Sequence, residues 1–241
     1  MTLLTHPRRA LLTGAAAIAF GAGATAGAAH ADGFVVNDPA LNVPANKIEH
    51  VVHEVDIDGV RPQHTLDELW LGSDKAHLVE RDVATGKVVG ESAWDRGHGV
   101  AWDSSSGELH VIDDHSVTPP YQTLSQEAAV WRHTFETGAS AQTGETTING
   151  RRSLLLQSVP GKWKTDEPSG VTTMTVDAET FTLYEIKTVL AKEHFSQDVK
   201  LKSAETIART KADESVFDLL PKGQAAKAAR RHAKAHKHHR R

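Results

Sequence analysis

The sequence predicts an α+β fold: a mostly antiparallel sheet with a helix lying on one of its faces. Three observations predict it. Short runs of β-branched and aromatic residues recur from Lys47 onward, punctuated by turn pairs at Asp58-Gly59, Ser73-Asp74 and Thr85-Gly86. One helical pattern interrupts them over residues 123–138. Finally, the stretch GVTTMTVDAETFTLYEIKTV, residues 170–189, alternates on both sides of an acidic corner at Asp177-Ala178-Glu179, so it forms two strands with unlike faces.

The chain begins with an export signal. Residues 1–31 hold Arg8-Arg9, an Ala/Gly-rich apolar run and an Ala29-His30-Ala31 cleavage site, predicting removal after Ala31 and a secreted or envelope-associated product. The run is too short and Gly-rich for a membrane span. Arg8-Arg9-Ala10-Leu11-Leu12 is similar to a twin-arginine motif, with Pro7 where Ser or Thr is usual; the twin-arginine and general export routes both stay open. Residues 32–46 read as an extended lead-in carrying Pro39 and Pro44.

Charge is distributed unevenly over the 241 residues. Of 27 basic residues, two fall in residues 1–31 and eight in residues 222–241, and neither segment holds an acid. The remaining 17 face all 31 acids, so a body of charge −14 precedes a tail of +8. The body, about 190 residues, is large enough to bury roughly 70% of its unfolded surface. With no cysteine there are no disulfides and no thiolate metal ligands, and packing alone must stabilise the domain.

From Lys47 to Asp114, KIEHVVHEVDIDG, TLDELWLGSD, AHLVERDVATGKVVGESAWD and GVAWDSSSGELHVIDD give five or six strands of an antiparallel meander. Thr123-Leu124-Ser125-Gln126 has the form of a capping box, and Leu124, Ala128, Trp131 and Phe135 follow at helical spacing until Gly138. Strands resume in TGETTINGRRSLLLQSV around Asn149-Gly150, the strongest short hairpin signal in the chain. A loop containing Trp163 precedes the 170–189 hairpin; a final strand and a short helical turn near Val216-Phe217 close the domain. The tail GQAAKAARRHAKAHKHHRR lacks the apolar surface to offset its ordering entropy and is expected to be disordered.

Little in the sequence points to catalysis. Nine histidines lie in the body, but His50-x-x-His53 on a strand sets two rings on opposite faces, and no H-E-x-x-H accompanies them. Asp113-Asp114-His115 beside Ser104-Ser105-Ser106 is more simply a turn. Nucleophile elbows and phosphate-cradling glycine loops are missing from the sequence. No catalytic residue, metal or cofactor is therefore expected. Trp70, Trp94, Trp102 and Trp131 stand beside alternating aliphatics, read as core or as walls of an apolar cavity. A β-propeller is the rival fold, since RDVATGKVVG followed by GHGVAWDSSSGELHVIDD is blade-like, but nothing after residue 123 repeats the unit.

The order of segments resembles the LolA-like superfamily of envelope lipoprotein carriers, to which the sigma-factor regulator RseB also belongs. Four stretches carry the likeness: DELWLGSDKAHLVERDVATGKVVGES, the helix into GETTINGRRSLLLQ, GVTTMTVDAETFTLYEIKTV, and the closing ESVFDLLP. The resemblance implies a strongly curved, mostly antiparallel sheet, an unclosed half-barrel over residues 47–221, with one or two covering helices. Its concave face would receive acyl chains or a hydrophobic peptide. The residues expected to line that face are Leu69, Leu71, Val100, Trp102, Leu109, Val111, Trp131, Phe135, Met174 and Val176, around an open cavity of roughly 300 Å3 or more. Two features depart from the family: no long helix is readable in residues 32–46, and the basic tail has no counterpart. The expected protein is a monomeric, noncatalytic carrier or sensor of a lipid-like ligand. The alternative is an envelope module whose tail, with His232, His236, His238 and His239, holds an anionic wall polymer, membrane headgroups or a partner protein. Nucleic acid is not an expected partner.

Overall fold

The structure, a computed structural model, describes residues 38–96, 98–107, 109–113, 121–162, 170–191, 194–210 and 213–218. The expected export signal, Asp114 and His115, the Trp163 loop and the basic tail lie outside them. Eleven strands form one sheet. The first six, β1 (Lys47–Asp58), β2 (Gln63–Leu71), β3 (Lys75–Asp82), β4 (Val88–Asp95), β5 (His98–Asp103) and β6 (Leu109–Asp113), make the expected meander. Helix α1 (Leu124–Glu136) follows. Then come β7 (Ser140–Ile148), β8 (Arg151–Ser158), β9 (Gly170–Asp177), β10 (Leu183–Leu190) and β11 (Phe195–Ala208).

The spatial order is β6-β5-β4-β3-β2-β1-β11-β10-β9-β8-β7. Two meanders therefore run outward from a central antiparallel pair, in which Lys47 lies opposite Ala208 and Asp58 opposite Ser196. The ends, β6 and β7, are not paired with each other, so the sheet is an unclosed half-barrel.

Local chemistry explains the corners. Asn149 and Gly150 both adopt positive φ, 52° and 79°, the geometry that a two-residue hairpin with the right-handed strand twist requires. The corner after β9 is longer than its sequence suggests, because Asp177 organises it. Its Oδ1 accepts the amides of Glu179 and Thr180 at 2.9 Å each, while Tyr184 and Arg151 bond Oδ2 at 3.1 and 2.7 Å. Phe181 takes φ 62° and tucks its ring into the core.

Helix α1 starts on the predicted capping box: the Gln126 amide donates to Thr123 Oγ1 at 3.0 Å and the Thr123 amide to Gln126 Oε1 at 2.9 Å. Gly138, at φ 72°, follows its end. Trp131, fully buried, plugs the helix into a core of Val55, Leu154, Leu156, Met174, Val176, Ile186 and Val199. A second cluster, Val43, Leu69, Leu71, Leu78, Trp94 and Tyr121, lies at the other end of the same face. Removing the Trp131 side chain deletes the helix's largest fully buried anchor, so Trp131→Ala should lower the urea-derived stability by about 3–5 kcal/mol. Trp102→Ala, half-buried on the opposite face, should cost less than half as much; equal losses would contradict this assignment of faces.

Candidate functional site

Cross-strand partners share a face of a sheet, so the register shows what α1 covers. Val51, Leu69, Leu78, Ser92 and Ala101 form one row across β1 to β5. Two residues along, the inward row becomes polar: His53 lies opposite Asp67, Asp67 opposite Glu80, Glu80 opposite Gly90, and Gly90 opposite Asp103. Asp67 is 5% exposed and Glu80 4%. Thr65 Oγ1 donates to Asp67 Oδ1 at 2.7 Å, whereas Glu80 Oε1 has no hydrogen-bond partner among the described residues. At Gly90 the absent side chain leaves the Glu80 carboxyl its place, since a Cβ there would fall on that carboxyl oxygen.

Burial sets the protonation of this row. Desolvation pushes the Asp67 carboxyl up to about 7 and that of Glu80 to about 8, the charges of Asp67 and Asp103 adding to the latter. Desolvation lowers His53 to about 4, so its imidazole is neutral. Asp103 is also desolvated, but the Ser105 side chain and the Ser105 and Ser106 amides bond its carboxylate and hold its pKa below the usual value. On the helix side, desolvation raises Glu127 to about 7 with Glu49 contributing, and raises Glu49 although its Oε1 accepts the Leu124 amide at 2.7 Å.

Between the acid row and α1 lies a cleft of about 50 Å3. Val51, His53 and Val55 of β1, Asp67 and Leu69 of β2, and Leu78 of β3 form one side. Leu183, Tyr184 and Ile186 of β10, with Val199 and Leu201 of β11, form the other; Gln122, Leu124 and Glu127 roof it. Three polar contacts tie the roof down. Besides the Glu49–Leu124 bond, Thr123 Oγ1 donates to the Leu41 carbonyl and Gln126 Nε2 to Asn42 Oδ1, each at 2.7 Å.

Of the residues expected at a ligand site, Leu69 lines the cleft and Leu71 packs beside it. Trp131, Met174 and Val176, with Phe135 against them, belong to the packed helix–sheet core. Val100, Trp102, Leu109 and Val111 register on the opposite face: Val100 pairs with Ala93 and Val111, and Trp102 with Glu91 and Leu109, in the rows of His77 and Val79. The cleft is also far smaller than the open cavity expected. Sequence reasoning missed His53, Asp67, Glu80, Gln122 and Glu127. The available signal was Asp67 two residues before Leu69 and Glu80 two after Leu78, acids standing at inward positions of apolar strands.

Elsewhere, two histidines make structural contacts. His50 stacks on Trp70 and bonds Glu68 and Glu205, and His77 bonds Glu91 and the Val216 carbonyl, pinning the closing helical turn (Asp213–Phe217) to β3. Among the described residues, no cluster of three or more His, Asp or Glu is placed to hold a metal ion.

No family model and no curated protein matches the sequence. Among solved structures, an uncharacterized conserved protein of Thermus thermophilus superposes with a TM-score of 0.43 at 7% identity, over 74% of this chain and 87% of that one. A chain of the Pseudomonas aeruginosa MucA/MucB complex gives 0.41 at 13%, over 68% of this chain, which spans 54% of that one. The Mycobacterium tuberculosis lipoprotein LppX gives 0.39 at 9%, over 76% and 93%.

The raised acids make stability pH-dependent. Between the unfolded pKa, near 4, and the folded values of about 7 to 8, the folded chain binds more protons at Asp67, Glu80 and Glu127 than the unfolded one, so stability falls as pH rises. His53 works the other way, but only between about pH 4 and 6.5. Denaturant midpoints should therefore drop between pH 6.5 and 8.5, and Asp67→Asn with Glu80→Gln should flatten that decline. An unchanged slope would remove the buried acids as its cause.

Proposed function

We propose that the protein is a noncatalytic binding protein of the cell envelope, taking a lipid-like guest on the concave face of its half-barrel beneath α1. The observation that carries this reading is the cleft itself: apolar walls from five strands, roofed by the first turn of a single helix. At about 50 Å3 it is the closed form, since ligand sites for small molecules run to roughly 300–1,000 Å3. Entry requires the roof to lift, and the hold on it supports this. The first turn is tied by Glu49, Leu41 and Asn42 through hydrogen bonds, whereas the second half is anchored by Trp131 in a dry core. Polar ties exchange with water at little net cost, each contributing about 1 kcal/mol, so the first turn opens while Trp131 stays seated.

The carboxyl pair favours binding over catalysis. Acid–base catalysis needs its groups within reach of a substrate, with opposed protonation states. Asp67 and Glu80 are both shifted toward the neutral acid, so the pair offers no opposed acid and base. The export-signal pattern read in residues 1–31 supports an address outside the cytoplasm.

Titration with the apolar fluorophore N-phenylnaphthylamine tests the reading. Saturable one-site binding that long-chain lipids displace is expected. Gln126→Ala removes the capping box and the Asn42 tie, costing about 1 kcal/mol, and should raise the probe on-rate by roughly fivefold. Absence of saturable binding in both proteins would overturn the proposal.

A further inference from the structure

The cleft's polar inventory is one-sided. Asp67 stands on its strand floor and Glu127 on its helical roof, Glu80 adjoins the first across the strands, and Glu49 adjoins the second. His53 is neutral, and no lysine or arginine is among the lining residues. Two buried oxygens, Glu80 Oε1 and Gln122 Oε1, lack a hydrogen-bond partner among the described residues. Glu80 is more than nine-tenths buried and directs its carboxyl over Gly90 of β4, beside the cleft and outside its lining, so the free acceptor within the lining is Gln122 Oε1. Acceptors from both walls face this apolar site and no cationic side chain lines it; unpaired buried acceptors cost about 1–3 kcal/mol each.

From this geometry we infer that the site selects guests in which an apolar chain carries a primary ammonium group, the ammonium seated between Asp67 on the floor and Gln122 and Glu127 on the roof. The inference rests on the proposed binding role and adds the headgroup chemistry. An ammonium brings three donors and one charge, enough to bond Asp67, Glu127 and the free Gln122 oxygen together. Fatty-acid carboxylates and phosphates meet Asp67 and Glu127 there with no cationic side chain to pair with, and are disfavoured. An alcohol of the same chain gains the apolar contacts without the charge. Because Asp67 and Glu127 are held toward their neutral form by burial, seating an alkylammonium drives a proton off them and into the buffer, while the guest keeps its own.

Octylamine, octanol and octanoate compete for the fluorescent probe in the test, using the full chain at pH 7. The amine should displace it at about a tenfold lower concentration than the alcohol, with octanoate weakest, since one charge-assisted hydrogen bond corresponds to that factor. Calorimetry in two buffers of different ionisation enthalpy should show proton release on amine binding alone. Asp67→Asn with Glu127→Gln should erase the amine's advantage over octanol; Glu127→Gln alone, on the helix, serves if that pair of changes prevents folding. Equal displacement by amine and alcohol, stronger displacement by octanoate, or no proton release overturns the inference while the binding role stands. Failure of all three compounds, and of the probe itself, overturns both.

Discussion

The antiparallel pairing of β1 with β11 is the constraint on which the rest of the fold depends. It joins residues about 150 positions apart and closes the largest loop in the molecule, so its entropic cost is met only once both meanders are formed. Through it, Val199 and Ile186 of one half come into line with Val55 and Thr65 of the other, giving a single concave face instead of two small sheets. Helix α1, which leaves the first meander and enters the second, can then lie across that seam. Without the central pair, Trp131 would lose Val55 and Val199, and the cleft would lose one wall.

The cleft stands where two packing regimes meet. Toward β7 to β10 the helix is seated by large apolar side chains, and toward β2 to β4 by Tyr121, Val43 and the polar ties of the capping box. The acid row falls at the changeover. Burying carboxyls costs stability that an apolar row would not, since isosteric hydrophobic replacements of buried charges are commonly neutral or stabilising. The glycine at position 90, over which the Glu80 carboxyl lies, adds a backbone cost to the electrostatic one. Costs of this kind, concentrated on one face beside one cleft, mark a binding site more readily than a structural network, in which every group would be paired.

Much of the architecture was legible from residue pattern. The six strands before the helix, the Thr123 capping box, the Gly138 stop, the Asn149-Gly150 corner and the final helical turn all follow from local chemistry, and local chemistry is what a sequence displays directly. The site was less legible, for a geometric reason. A strand with apolar residues at both parities, such as GVAW in β5, shows that it alternates without showing which parity faces the helix; Val100 and Trp102 lie one residue out of phase with Ala101, the inward position. The inward acids were hidden by the opposite effect. Asp67 and Glu80 read as ordinary solvent-facing charges until the register lines them up across three strands.

The central claim is that a guest enters the concave face by displacing the first turn of α1. The chain has no cysteine, so paired spin labels can be placed without background at Ser125, exposed on that first turn, and Lys187, exposed on β10. Pulsed dipolar measurement of the label separation, with and without bound guest, reads the displacement directly. The account predicts that the distribution moves outward on binding by about one helical rise per turn, ~5 Å, with the helix still formed. A guest that binds saturably while the separation stays unchanged would contradict it.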